Sequence, residues 1–406
     1  MKKVNKNIKR TNRWKTAEFA YSGLISEMQM PPMLRLGNPP LTNEEIIEEL
    51  EEILKDCPEF YPAHLDLGLR YLISSRTKAE KILDKGFDLF IELVNKKYFE
   101  EEIDILTENL EKKWRHDLSA KYLKILLEKY PNYALLYDFL ACELVYLGDI
   151  DNALKNSLKS IELKPNNHFF ISNLGWIYLF ASQYDNAIKY LKKAIKLDSS
   201  RNKAKGNLEI ARILKKENIT LSEYLLRKAD IKEIDDFADN EDWEEVDKLL
   251  NEYNTARIEV LKLDTLSKKD CNPTVVANLL SSLNIFFKFI GKINQDVHLN
   301  EDVVFIHDNF KPIMHKFIFK FGDIDSGIMN ETYDGLIYYF GFLSDKGVIY
   351  KKDFNKFKKY VLSIKDELFE KMHRYNEIRH NDNYSEEGKE EIREELFDGD
   401  HSWEFL

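Results

Sequence analysis

The fold of this chain is decided by residues 134–165, ALLYDFLACELVYLGDIDNALKNSLKSIELKP, and residues 168–199, HFFISNLGWIYLFASQYDNAIKYLKKAIKLDS. A shift of 34 residues lays the first stretch on the second and places small residues on one another, as Ala153 on Ala187. Large apolar residues recur at steps of three and four, which is typical of helices with one buried face. A fixed period of this length predicts stacked helix–turn–helix units, so the expected fold class is an all-α solenoid.

These two units resemble the tetratricopeptide repeat family, in which small residues stand at set positions of both helices. The matching positions in the first unit are Ala141, Ala153, Ser160 and Pro165. Those in the second unit are Gly175, Tyr178, Ala187 and Ala194, while Ser199 stands in place of the proline. The resemblance implies that neighbouring helices touch at the small residues. It also implies that the first helices of successive units form a concave wall, the first-helix wall, which in this family commonly holds a peptide of a partner.

Weaker copies of the hairpin are predicted before the two clear ones. Residues 41–95 contain the pattern LGxxY at 67–71, which recurs at 174–178, and residues 100–131 end in the same way as the first clear unit. The stretch 202–216 keeps an apolar face but lacks the small residues, as expected of a helix that caps a solenoid.

Composition sets the expected domain boundaries. The divisions are 1–40, a basic N-terminal arm and Pro-rich connector; 41–217, the tetratricopeptide-like solenoid with its capping helix; 218–270, a charged helical connector; and 271–406, an aromatic-rich helical domain with an acidic tail. Residues 1–15 hold seven Lys or Arg and no acid, which favours a solvated leader. Two alternatives are a nucleic-acid contact and docking on the chain's own acidic surface. From Met28 to Pro40 we expect an extended connector.

The C-terminal domain carries one conspicuous apolar stripe. Its members are Phe354, Phe357, Val361, Ile364, Leu368, Met372 and Tyr375. Their alternating steps of three and four predict one long helix over 354–375. The stripe faces the core of the domain or, alternatively, forms the seam of a homodimer. Earlier in the same domain, Pro312 is expected to interrupt a helix between His307 and His315.

The bulk composition narrows the class of protein. The net charge of −11 means that the molecule as a whole repels nucleic acid and anionic membranes, so nucleic acid is not an expected partner. Three widely spaced cysteines build no disulfide framework and suit a reducing compartment. The apolar stretch 133–148 is too short to span a bilayer, and no hydrophobic signal core follows the basic start. We therefore expect a cytoplasmic protein without a membrane partner.

The residues expected to face the first-helix wall belong to both clear units. They are Asp138, Cys142 and Val145 from the first unit and Phe169, Ser172, Asn173, Trp176 and Phe180 from the second. Because this set is aromatic rather than basic, it favours a hydrophobic or amphipathic segment of a partner protein. Two alternatives stay open. Asn173, with Lys203 and Asn207, fits part of the pattern by which family members grip a C-terminal carboxylate. The chain's own C-terminal domain could instead bury the aromatic side chains.

Few chemical motifs are present. The chain has no phosphate-binding loop, GxSxG elbow or HExxH pair, and we expect no cofactor and no metal. Arg374 and His380, six residues apart, are similar to the Arg–His element of HEPN-type ribonucleases, in which both groups act on the scissile phosphate.

The favoured function is a non-catalytic adaptor or regulatory scaffold that binds a protein or peptide. The alternative is a metal-independent ribonuclease or another nucleic-acid-processing protein.

Overall fold

The computed structural model describes residues 7–30, 41–95, 97–268, 270–293, 298–320, 326–379, 381 and 383–397. These ranges hold twenty α-helices and one short 3-10 turn, and no β-strand occurs within them. The predicted all-α class is therefore confirmed. Contacts divide the chain into two compact units, residues 1–219 with 266–275, and residues 220–265 with 276–406. Most of the predicted connector 218–270 thus groups with the second unit, and the four-part division stays a prediction.

The first unit contains helices α1 to α11. Their bounds are α1 Asn12–Met28, α2 Asn43–Asp56, α3 Tyr61–Tyr71, α4 Arg76–Leu93, α5 Phe99–Lys112, α6 His116–Lys129, α7 Ala134–Tyr146, α8 Ile150–Leu163, α9 His168–Phe180, α10 Tyr184–Leu197 and α11 Asn202–Glu217. Successive pairs from α3 to α10 form four hairpins, and α11 packs on α9 and α10. The predicted copy at 41–95 therefore holds three helices, because α2 packs on α3 ahead of the α3–α4 hairpin.

The turn inside each of the last three hairpins has the same backbone geometry. Trp114, Gly148 and Ser182 lie 34 residues apart, and their φ angles are 54°, 75° and 55°. In each turn the next residue donates its N–H to the carbonyl five residues earlier, as Asp149 does to Leu144 at 2.9 Å. This is the left-handed helix end that satisfies the last free carbonyls. The α5–α6 hairpin is therefore in register with the two clear repeats.

Small residues lie where the two helices of a hairpin meet. Ala141, Ala153 and Ala187 are 0% exposed, as the repeat pattern predicts. A Cβ atom built on Gly175 would lie 2.6 Å from Cγ of Leu191 and 3.3 Å from its backbone nitrogen. Gly68 stands in the same relation to Leu83, at 2.5 Å from Cγ. The two LGxxY patterns therefore serve one purpose, a close approach of the first helix to the second.

Replacement of Gly175 by alanine tests this close approach. We expect Gly175→Ala to destabilise the first unit by about 1–3 kcal/mol, because the added methyl group must displace Leu191 in a packed core. Gly206, in the second turn of α11, has nothing within 4 Å of such a Cβ atom. The matched control Gly206→Ala should stabilise by about 0.5–1 kcal/mol through helix propensity alone. Urea unfolding followed by far-UV circular dichroism measures both, and equal effects of the two substitutions would contradict the packing argument.

The basic N-terminal segment is folded rather than a solvated leader over its described part. Helix α1 packs on the start of α3, with the Trp14 and Phe60 rings 4.9 Å apart and Trp14 only 4% exposed. Arg13 pairs with Glu59 at 2.8 Å. The prediction of a solvated leader is thus wrong for residues 7–15, and docking on the chain's own surface is what the helix does. Residues 1–6 and most of the predicted extended connector, 31–40, lie outside the described residues.

The second unit contains the remaining helices. Their bounds are α12 Leu221–Leu225, α13 Ile231–Asp239, α14 Trp243–Ser267, α15 Pro273–Ile293, α16 Val303–Lys320, α17 Ser326–Asp345, α18 Lys351–Ser363, α19 Lys365–Arg379 and α20 Glu386–Leu396. The last residues of α14 and the first of α15 count with the first unit. Aromatic side chains fill the core, and Phe286, Phe310 and Phe340 are each 0% exposed.

The predicted helix over 354–375 is two helices, α18 and α19, with Ile364 between them. Phe357, Val361, Leu368 and Met372 of the stripe are 0% exposed within one chain, and Phe357 packs 4.9 Å from Phe340. The core-facing interpretation of the stripe is therefore the one that the packing bears out. These side chains are not available for a homodimer seam. A sequence period shows which face is apolar, but it cannot distinguish one helix from two that share a core.

Helix α16 continues through Pro312, which contradicts the expected interruption. Phe310 and Phe317, on either side of the proline, are both 0% exposed. Burial of these rings holds the helix together where the proline removes one hydrogen bond.

Helix α15 is the one helix of the described residues that is long and apolar enough to cross a membrane. The stretch Pro273–Gly291 has a mean hydropathy of 1.4, and 56% of it is buried. Core helices of folded proteins share this length and composition. Leu283, Phe286 and Ile290 are 0% exposed, so we interpret α15 as a core helix.

A buried arginine holds the start of the second unit together. Arg257 of α14 is 0% exposed and pairs with Glu301. It also donates to the carbonyl of Leu225, at 2.5 Å, and to that of Arg227, at 2.6 Å. One guanidinium therefore joins α14 to the end of α12 and to the loop before α16.

Removal of this guanidinium leaves a mostly buried carboxylate and two carbonyls without their donor. We expect Arg257→Met to destabilise the second unit by about 3–5 kcal/mol. The exposed Arg212 of α11 provides the control, and Arg212→Met should change stability by less than about 0.5 kcal/mol. Thermal unfolding of both variants measures the difference, and a neutral Arg257→Met would show that the network is dispensable.

Candidate functional site

The predicted site residues lie on two first helices, α7 and α9, which pack against one another. Phe169 is 51% exposed, whereas Asp138 and Val145 are each 2% exposed and Ser172 is 8% exposed. The other four are half-buried: Cys142, Asn173, Trp176 and Phe180. No member of the aromatic trio Phe169, Trp176 and Phe180 is thus fully buried. The wall combines a partly exposed aromatic surface with a buried to half-buried polar set, here called the polar floor: Asp138, Cys142, Ser172 and Asn173.

Three aromatic side chains form a continuous row along the wall, here called the aromatic row: Tyr146, Trp176 and Phe180. The rings of Tyr146 and Trp176 are 6.0 Å apart, and those of Trp176 and Phe180 are 4.8 Å apart. Tyr146 is not among the wall residues that the sequence predicted. The signal was present, since Tyr146 precedes Phe180 by 34 residues and occupies the same repeat position.

A buried polar cluster supports the Tyr146 end of the aromatic row. His116, at 0% exposure, stacks on Tyr146 with ring centroids 4.3 Å apart. The Nδ1 atom of His116 lies 2.5 Å from a carboxylate oxygen of Glu143, and the Ser119 hydroxyl donates to the other oxygen at 2.6 Å. These contacts join α6 to α7 and place Tyr146 where Trp176 can reach it.

Asp138 is the unusual group of the wall. Its Oδ2 atom accepts a hydrogen bond from the Asn173 side-chain amide at 2.8 Å, across α7 and α9. Its Oδ1 atom is buried and has no hydrogen-bond partner in the described part of the chain. Burial raises the pKa of Asp138 to about 7, and the Asn173 hydrogen bond opposes that rise. The carboxyl group is therefore costly to ionise in the folded protein.

Cys142 lies one turn after Asp138, in an acidic setting. Burial raises the pKa of its thiol, and the charges of Asp138, Glu143 and Glu111 raise it further, while Lys203 acts in the opposite direction. The next first helix, α11, supplies Asn207, which is equivalent to Asn173 by the repeat period. The Nδ2 atom of Asn207 is also buried without a hydrogen-bond partner among the described residues.

Phe169 is partly covered by a cation. The guanidinium carbon of Arg201 lies 3.3 Å from the centre of the Phe169 ring, and the Arg201 Nε donates to His168 at 2.9 Å. Arg201 also pairs with Asp198 at 3.2 Å. One face of Phe169 is therefore occupied by Arg201, although Phe169 is still 51% exposed.

Only one member of the proposed ribonuclease pair, Arg374, lies in the described part of the chain. Arg374 pairs with Glu395 of α20 at 3.2 Å, so its charge is already compensated. His380 lies outside the described residues, and the ribonuclease alternative stays a prediction. Among the described residues, no group of three or more His, Cys, Asp or Glu side chains could hold a metal ion.

The second unit contains a cleft of about 640 Å³ that the sequence did not predict. Its polar lining includes Asn251, Asn254, Asn284 and Asn300, and its rim includes the 53% exposed Trp243. Asn254 is already engaged, because its Oδ1 atom accepts from the backbone N–H of Asn300 at 3.0 Å. No periodic pattern marks these residues in the sequence.

Comparison with known proteins agrees with the repeat geometry. Residues 134–167 and 171–201 match the tetratricopeptide repeat family. No curated protein sequence matches the chain. The family match confirms the resemblance seen in the two clear repeats. The matched repeats of the first unit therefore belong to the class of α-helical solenoids.

Solved structures similar to this chain include MamA and YrrB. MamA from Desulfovibrio magneticus RS-1 (residue 41 to the end) is 16% identical, with 47% of this chain and 98% of that chain covered and a TM-score of 0.31. YrrB, described as a TPR protein with an unusual peptide-binding site, is 19% identical, with 48% and 96% covered and a TM-score of 0.31.

The raised pKa of Asp138 predicts an unusual pH dependence of stability. The ordinary pKa is 3.8 and the folded value is about 7, so between these values the folded state binds more protons than the unfolded state. Stability from this group therefore rises as pH falls from 8 to 5. Asp138→Asn removes the cost of the buried charge and should stabilise the first unit at pH 8 by about 2 kcal/mol.

The gain from Asp138→Asn should shrink towards pH 5, where Asp138 of the unaltered protein is already protonated. Thermal unfolding at both pH values, compared with the exposed control Asp151→Asn, isolates this group from all others that titrate. A variant that is less stable than the unaltered protein at pH 8 would show that the ionised carboxylate is satisfied.

Proposed function

We propose that the chain is a non-catalytic adaptor or regulatory scaffold that binds a hydrophobic or amphipathic segment of a partner protein on the first-helix wall. The observation that carries the proposal is the aromatic row, which stays half-buried along two adjacent first helices. Aromatic side chains that are rigidly seated but partly exposed are typical anchors of protein interfaces.

One further observation supports this proposal. The wall places polar groups beside the aromatic row, as an amphipathic segment requires. All three cysteines are free, which suits a reducing compartment, and we propose that the protein works in the cytoplasm. YrrB is another repeat protein, and its description names a peptide-binding site.

The proposal is tested by selection of peptides from a random library on the immobilised full-length protein. We expect the selected peptides to bind Trp176→Ala at least about tenfold more weakly, because a central aromatic anchor carries much of the binding free energy. Trp243→Ala removes an equally large, more exposed side chain from the second unit and is the matched control. Phe180→Ala provides a second variant of the aromatic row.

Circular dichroism at the assay temperature verifies that each variant is folded. Peptides that bind Trp176→Ala, Phe180→Ala and the unaltered protein with equal affinity would place the binding surface elsewhere.

A further inference from the structure

The polar floor of the first-helix wall is acidic where a carboxylate-gripping groove is basic. The charges of Asp138, Glu143 and Glu111 all act on Cys142, and Lys203 is the cation that opposes them there. Glu143 is engaged with His116 and Ser119, so Asp138 is the buried carboxyl group of α7 that retains capacity for another donor.

The Oδ1 atom of Asp138, which has no hydrogen-bond partner among the described residues, lowers the stability of the folded protein. A buried polar atom without a hydrogen bond costs of the order of 1–3 kcal/mol, and a buried carboxylate costs more. The half-buried side chains of Cys142 and Asn173 neighbour Asp138, and a ligand group reaches the buried Oδ1 atom when these side chains move aside. The group that forms the strongest hydrogen bond to such a carboxylate oxygen is a positively charged donor.

The aromatic row lies next to this carboxyl group. Asn173, which donates to Asp138, is followed by Trp176 one helical turn later on the same face of α9. The partly exposed rings of Trp176 and Tyr146 stand 6.0 Å apart. A cation beside an aromatic face gains a further attraction, which is largest for Trp. A carboxylate and an aromatic face on one wall therefore complement a Lys or Arg side chain.

We propose that the segment bound on the first-helix wall presents a lysine or arginine side chain, whose cation pairs with Asp138 beside Trp176. This inference rests on the proposed function and specifies the chemistry of the partner segment. A C-terminal carboxylate placed at the same point would meet Asp138 as a like charge, although Asn173 and Lys203 are present.

Two defined peptide libraries test the charge of the ligand. Both carry random apolar residues around one fixed central position, which is arginine in the first library and citrulline in the second. Citrulline has the shape of arginine without its charge. We expect the full-length protein to retain the arginine library at least about tenfold better. On Asp138→Asn this preference should disappear, and on Trp176→Ala both libraries should be lost.

The outcomes separate this inference from the proposed function. Equal retention of both libraries, with loss on Trp176→Ala, overturns the inference and leaves peptide binding in place. Retention that does not depend on Trp176, or no retention at all, overturns both. A third library with glutamate at the fixed position tests carboxylate binding, and its preferential retention also overturns the inference. The comparison on the unaltered protein does not depend on the folding of any variant.

Discussion

The two helices of a hairpin approach one another only as closely as the smallest side chains between them allow. In the first unit, glycine and alanine set that distance. Gly175 lies so near Leu191 that a methyl group does not fit between them, and Gly68 repeats this contact with Leu83. Because the approach fixes the spacing within a hairpin, it also fixes where the next hairpin stacks. The first-helix wall depends on that regular stacking, since α7 and α9 come together only if each hairpin keeps the same geometry.

The repeat period also determines which residues, distant in sequence, lie side by side on neighbouring hairpins. Asn173 follows Asp138 by one period plus one residue, and this offset places an amide on α9 against a carboxyl group on α7. Tyr146 and Phe180 are separated by one full period and flank Trp176 along the same wall. The polar floor and the aromatic row are thus two consequences of one period.

The repeats were predictable from the sequence because every copy must satisfy the same local contact, which leaves a small residue at the same position. The helices that carry the site residues were predictable for the same reason. Their depth was not, because the neighbouring helix decides it, and Asp138 and Val145 are consequently buried. Outside the repeats, single contacts decide the structure. Helix α1 is ordered by the packing of Trp14 on Phe60, which no period announces.

Helix α7 offers a direct comparison of two buried carboxyl groups five residues apart. Glu143 has a histidine and a serine as partners, joins two helices and has a clear structural purpose. Asp138 has one amide donor and an oxygen without a partner in the described part of the chain, although it is almost as deeply buried. An apolar residue at that position would serve packing better. A buried group that weakens the folded state is more typical of a functional site than of packing, which supports the proposal that a partner segment binds beside Asp138.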